Sequence, residues 1–160
     1  MKQFFIITFI ILIGNNLTAQ TKKELKKLQK IEDYQNNKTI VESGEYFFKA
    51  TLITPLNHRT FNILDDNGVL IIKEKMMKAD IPHISKDSIR TRVISHNEIL
   101  EYNVEYKEKK KKIIVSFTTK GEGENLDILL KISDDNKADL YLSSERIDPI
   151  SYSGTISYMK

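Results

Sequence analysis

The sequence predicts a mainly β protein, an antiparallel up-and-down β-barrel preceded by one α-helix. Three observations carry that expectation. Hydrophobic residues recur at every second position from Tyr46 almost to the C-terminus, short polar links separate the alternating segments, and one stretch before Gly44 has helical spacing instead. Nine or ten short strands, each with one apolar and one polar face, must bury the apolar faces against one another. Links this short suit antiparallel neighbours rather than crossover helices. Hairpin links dominate and long crossovers are few, which favours a closed or nearly closed barrel over a two-sheet sandwich.

The 160 residues are 40% hydrophobic and 29% charged, which suits a single folded domain. Cysteine is absent, so disulfide scaffolds, thiolate zinc sites, cysteine nucleophiles and lipid attachment through an N-terminal cysteine are excluded. Lysine and arginine number 25 against 22 aspartate and glutamate, and a formal charge of +3 spread over the chain gives no ground for binding nucleic acid or an anionic membrane.

Residues 1–19 read as an export signal peptide. Lys2 supplies a positive start, and Phe4 to Ile13 are apolar except for Thr8, a run too short to cross about 30 Å of hydrocarbon. Leu17-Thr18-Ala19 ends in a small residue, so cleavage is expected after Ala19, leaving Gln20 first. Polar Asn15 and Asn16 weigh against a retained anchor. The expected product is a periplasmic or secreted protein with no stable membrane anchor after cleavage.

Residues 20–44 are assigned to the helix. Thr21-Lys22-Lys23-Glu24 has the spacing of a capping box, in which a hydroxyl and a carboxylate satisfy backbone donors at a helix start. Leu25, Leu28, Ile31 and Tyr34 follow as one apolar stripe among charged residues. Asn36 and Asn37 are weak helix residues that favour a break before Ile40, and Ser43-Gly44 is the stop.

Residues 45–160 form the barrel domain. Tyr46, Phe48, Ala50 and Leu52 mark the first strand, ended by Pro55 and Asn57. Phe61 and Ile63 mark a second, the turn Asp66-Asn67-Gly68 follows, and Val69 to Lys73 return as a third. Met76 to Ile81 is a candidate strand, Pro82 to Asp87 a loop, and Ile89 to Ser95 a further strand. The remaining apolar sets are Tyr102, Val104 and Tyr106; Ile113, Val115 and Phe117; Leu126, Ile128, Leu130 and Ile132; Ala138, Leu140 and Leu142; and Ile150, Tyr152, Gly154, Ile156 and Tyr158. Glu108 to Lys111, Gly121 to Glu124 and Asp134 to Lys137 are the hairpin links.

No motif assembles a catalytic set. His58, His83 and His96 lie in separate segments without metal-ligand spacing, and His83, Ser85 and Asp87 are too close in sequence for a triad. Asp65-Asp66 and Asp134-Asp135 fit turn chemistry, since neither begins a calcium loop. Lys107 to Lys112 reads as a solvated hairpin tip, and Gly121-Glu122-Gly123-Glu124 lacks the lysine of a phosphate loop. No catalytic residue, metal site or cofactor is expected. The aromatic residues assigned inward, Tyr46, Phe48, Phe61, Tyr102, Tyr106, Phe117, Tyr152 and Tyr158, either fill the barrel or line a pocket in it.

Arg-Ile-Asp-Pro-Ile-Ser-Tyr-Ser-Gly-Thr-Ile, residues Arg146 to Ile156, resembles the closing motif of the bacterial family of unknown function DUF4251. Val41 to Ala50 resembles that family's helix end and first strand, Met76 to Ile84 its leucine-proline-tyrosine segment, and Leu100 to Val104 its next strand. His83 replaces the usual tyrosine of the triplet, Ile84-Ser85 replace a typical phenylalanine-glycine, and the loop after Pro55 lacks the family's glycines. The resemblance implies a lipocalin-like barrel in the envelope or surroundings of Gram-negative bacteria, and carries over no catalytic residue.

The functional expectation is a non-enzymatic exported barrel that binds a small apolar or amphipathic molecule, or an envelope component, in its interior or mouth. Tyr46, Phe48, Phe61, Tyr102, Tyr106, Phe117 and Tyr152 are the candidate ligand-lining residues. The alternative is a structural or protein-interaction module with a dry core, whose partner is an envelope protein.

Overall fold

The computed structural model describes the backbone of residues 2–56, 59–63, 68–85, 88–120, 125–145 and 148–159, with side chains for all of these except 2–20, 83–85 and 88–96. Among these residues one α-helix, α1 (Lys2–Glu42), leads into nine strands, β1 (Glu45–Pro55), β2 (Phe61–Asn62), β3 (Val69–Lys73), β4 (Met76–Ser85), β5 (Ser88–Lys107), β6 (Lys112–Lys120), β7 (Asn125–Ile132), β8 (Lys137–Ser143) and β9 (Ile150–Tyr158), with a 3-10 turn at Glu108–Lys110 between β5 and β6. Every strand pairing is antiparallel. Neighbours follow chain order from β3 to β9, and β1 pairs with both β3 and β9. Eight strands thus close into a barrel, and the two-residue β2 continues the β3 side of β1 through Leu52↔Asn62 and Ile53↔Phe61.

Alternation builds the wall as the pattern predicts. On β6 to β8, Ile113, Val115, Phe117, Leu126, Ile128, Leu130, Ile132, Ala138, Leu140 and Leu142 all point inward and are buried. Tyr46, Phe48, Leu70, Ile72, Met77 and Tyr152 join them from the other side of the barrel. Two tight turns, Glu74-Lys75 and Asp135-Asn136, carry positive φ at both central residues, the geometry that matches the twist of adjoining strands.

The register shifts at three places, between Met77↔Asn97 and Ala79↔Ile94 of β4 and β5 and at two further bulges. Thr51 is an extra residue on β1 between Ala50↔Gly154 and Leu52↔Ser153, so the buried set shifts from Tyr46, Phe48 and Ala50 to Ile53, and Leu52 turns away from the core. Glu101 and Tyr102 of β5 face one residue of β6 between Leu100↔Thr118 and Asn103↔Ser116, with Glu101 at φ 52°. β5 is one continuous strand, whereas the sequence pattern suggests two. β4 also runs on through Pro82, expected in a loop. Past Asp80 it pairs with β5 alone, and an edge of this kind tolerates a residue without an N–H.

The helix departs from expectation three times. Its backbone is helical from Lys2, so Thr21 lies inside α1 and the capping-box spacing does not mark its start. It runs unbroken to Glu42, with Ser43 Oγ donating to the Ile40 carbonyl at 2.7 Å and Gly44 at φ 69° ending it. Its packed side is Tyr34, Asn37, Ile40 and Val41, while Leu25 and Leu28 are 60% and 62% exposed. Steps of three residues drift roughly 60° around a helix, so the stripe that starts at Leu25 reaches the opposite side by Tyr34. Asn37, read as a weak point, is buried and donates to the Ser133 carbonyl at 2.7 Å. Lys30 pairs with Asp134 at 2.6 Å, and the Asp33 carboxylate accepts from the Asp135 N–H, which fastens α1 to the β7–β8 turn. Among the described residues, no helix is long and apolar enough to cross a membrane.

Candidate functional site

Four tyrosines gather at the barrel end that α1 covers. Tyr46 enters from the start of β1 and is fully buried; its hydroxyl meets that of Tyr102 at 3.1 Å. Tyr102 sits on the β5 bulge and stacks on Phe117, with ring centroids 5.9 Å apart. Tyr106 follows on β5, half-buried under the Lys38 ammonium, 5.2 Å from its ring centre. Tyr34 comes down from α1, and Lys111 lies 5.1 Å from its ring centre. Both ammonium groups are within cation–π range, so the lysines close the aromatic cluster at its rim.

Burial pushes all four phenols up from their ordinary value. At Tyr46 the rise is large, reinforced by the Tyr102 phenol, by donation to it and by Tyr106. Tyr102 rises less because the Tyr46 hydroxyl bonds to its charged form and offsets part of the burial effect. At Tyr34 the carboxylates of Glu108 and Glu42 add to burial, and at Tyr106 Glu42, Tyr102 and Tyr34 do so. The cluster is therefore neutral at pH 7. Phenols in this state donate and accept hydrogen bonds and offer apolar ring surface, but do not serve as bases.

Of the seven residues expected to line a ligand site, the structure brings together Tyr46, Tyr102, Tyr106 and Phe117. Tyr102 turns its hydroxyl to Tyr46 and its ring to Phe117 but is still 40% exposed. Tyr158, also assigned inward, is 40% exposed at the end of β9. Tyr152 lies far along β9 from the cluster and donates to the Pro82 carbonyl at 2.9 Å, and Phe48 is fully buried in the wall packing. Phe61 is only partly buried, on β2, with the Arg59 guanidinium 5.3 Å from its ring centre.

Tyr34, buried as its place on the apolar stripe implies, was not among the ligand-lining candidates, and Asn37 of the same packed helix side was read only as a weak helix residue. The spacing Tyr34, Asn37, Val41 is the signal that would have found them, hidden by the stronger run of leucines before it. Tyr34 Oη and Asn37 Oδ1 are buried without a hydrogen-bond partner among the described residues.

The other sequence candidates do not converge. Asp134 and Asp135 sit in their turn and pair with Lys30 and Lys137. His58, Asp65-Asp66, Asp87 and the Gly121 to Glu124 link lie outside the described residues, as do the side chains of His83, Ser85 and His96. Among the described residues, no group of three or more histidines and carboxylates is placed to hold a metal ion.

No curated protein matches this chain. A solved structure does: the DUF4251 family protein of Bacteroides eggerthii DSM 20697 is similar at a TM-score of 0.66 and 14% identity, covering 79% of this chain and 87% of that one. At that identity the likeness speaks for the fold, an eight-stranded barrel with an N-terminal helix. The model of the domain of unknown function DUF4251 matches residues 28–156, from the middle of α1 to the strand that closes the barrel, and the chain belongs to that family.

Proposed function

We propose that the protein is an exported, non-enzymatic recognition module, a barrel filled by its own side chains that meets an envelope component with its outside. The observation behind this is the fate of its two deepest phenols. Tyr46 and Tyr152 are 0% and 1% exposed, and their hydroxyls bond to Tyr102 and to the Pro82 carbonyl. Buried hydroxyls need partners, and these two find them within the protein, which leaves neither waiting for a ligand. The leader sequence supports export.

Native mass spectrometry of the processed protein from its own cell envelope tests the reading. The expected result is a chain that begins at Gln20, carries no exchangeable small molecule, and is crosslinked in place to one envelope component. A retained lipid or metabolite would overturn the filled barrel, and an N-terminus at Met1 would overturn export.

A second reading, a small amphipathic ligand at the α1 end, is favoured by Tyr34 Oη and Asn37 Oδ1, buried on α1 without a hydrogen-bond partner among the described residues. A ligand there would bring a donor to Asn37. A retained mass that disappears in Tyr34→Phe would select it.

A further inference from the structure

We propose that the outer wall of β6, β7 and β8 carries a saccharide-binding cleft. This rests on the reading that the protein works through its outside, and names the chemistry of what it meets. The cleft encloses about 330 Å³. Strand register builds it from two cross-strand ranks: Ser116, Leu129 and Tyr141 form one, and Thr118, Asp127 and Ser143 the other. All six alternate with buried neighbours and so face away from the core. Ranks two residues apart on a strand are about 7 Å from each other, close to the breadth of a sugar ring.

Phe117 and Ile128 line it between the ranks, and a ninth residue completes it. Glu101 reaches the cleft from the β5 bulge, held at φ 52°, where a side chain other than glycine is strained. Strain kept at a bulge beside a cleft is a pointer to use, since glycine would hold the same turn at lower cost. Neither the Glu101 nor the Asp127 carboxylate has an ion-pair or hydrogen-bond partner among the described residues.

The chemistry fits a neutral polyol. Leu129 and the 38%-exposed ring of Tyr141 offer an apolar surface for the C–H face of a pyranose, and two carboxylates and three hydroxyls stand ready for its O–H groups. Carboxylates accept from hydroxyl donors more strongly than neutral groups do. A cationic side chain would also seek two carboxylates. Lys131, however, already places its ammonium 4.3 Å from the Tyr141 ring centre, which supplies positive charge at the cleft edge and disfavours a second cation.

Titration of the processed protein with maltotriose, cellotriose and chitotriose, read by amide chemical shifts, tests this, with oligolysine as the cationic control. The expected result is millimolar binding of at least one saccharide, with shifts confined to β6, β7, β8 and the β5 bulge. Tyr141→Ala and Asp127→Asn should each weaken it about tenfold, the loss of one good contact. Glu101→Gly keeps the bulge and relieves its strain, so it should raise the urea midpoint while weakening saccharide binding. No shift with any of the three sugars, shifts elsewhere, a response to oligolysine alone, or unchanged affinity in Glu101→Gly would each overturn the proposal. A crosslinked partner on another face would then leave the broader reading standing, whereas a ligand inside the barrel would remove that reading and not this cleft.

Discussion

Gly154 stands where no side chain fits. It pairs with Ala50 across the closing seam, and a Cβ there would run into the Lys49 carbonyl oxygen and lie 2.8 Å from the Ala50 Cα. Backbone cannot move aside as a flexible side chain would, so Gly154→Ala should cost about 3 kcal/mol, the upper end of overpacking, measured as a lowered urea midpoint. A midpoint within experimental error of the parent would show that the seam yields. The Tyr46 phenol has a different signature. Its proton is held more tightly in the folded chain than in the unfolded one, so above about pH 10 the unfolded state loses protons that the native state keeps, and stability falls as pH rises. Below that pH the contribution is fully present. Urea midpoints at pH 9 and pH 11 should therefore fall less in Tyr46→Phe than in the parent, whereas equal falls would mean that the phenol ionises as freely inside as outside.

At the scale of elements, the strands of the C-terminal half were readable because their burial depends on a local rule. Ile113 to Phe117, Leu126 to Ile132 and Ala138 to Leu142 each keep strict alternation, and every inward assignment there holds. Bulges escape such a rule. Nothing in the residues around Thr51 or Tyr102 announces an extra residue, because it is the partner strand that decides where the register slips. The helix was harder still. Leu25 and Leu28 outweigh Tyr34, Asn37 and Val41 on any hydrophobic scale, yet only the latter meet the barrel, and Asn37 does so through a hydrogen bond that hydrophobicity cannot register. The candidate cluster was partly legible for the same reason: Tyr46 and Tyr106 follow from alternation, while the role of Tyr34 depends on how α1 crosses the barrel end. Asn37→Ala should therefore destabilise by about 1 kcal/mol, the net worth of one hydrogen bond, and should act locally. Hydrogen exchange should quicken at residues 34–42 with the β6 to β8 amides unchanged, and quickening throughout would mean that α1 and barrel unfold as one unit.

The molecule as a whole is a chain of hairpins with one long-range join. From β4 to β9 each strand pairs with the one before it, but closure must bring Glu45–Pro55 to Ile150–Tyr158 across nearly the whole barrel sequence. Closing that loop costs chain entropy before its contacts repay it, so the ring should close late, after the β6 to β8 meander has formed from neighbouring residues. Closure also removes most of the wall's open edge, leaving β2 and the part of β4 beyond Asp80, which suits a reading in which the inside is packed and the outside does the work. Two core truncations separate early from late. Val115→Ala on β6 removes contacts that form within the meander, so most of its loss should appear as slower refolding. Ile156→Val on β9, a buried residue of the closing seam, should cost about 1 kcal/mol and leave the refolding rate almost unchanged while unfolding quickens. Stopped-flow chevrons of the two variants decide the matter: slow refolding in Ile156→Val with a normal rate in Val115→Ala would place the seam in the folding nucleus and reverse the order of assembly.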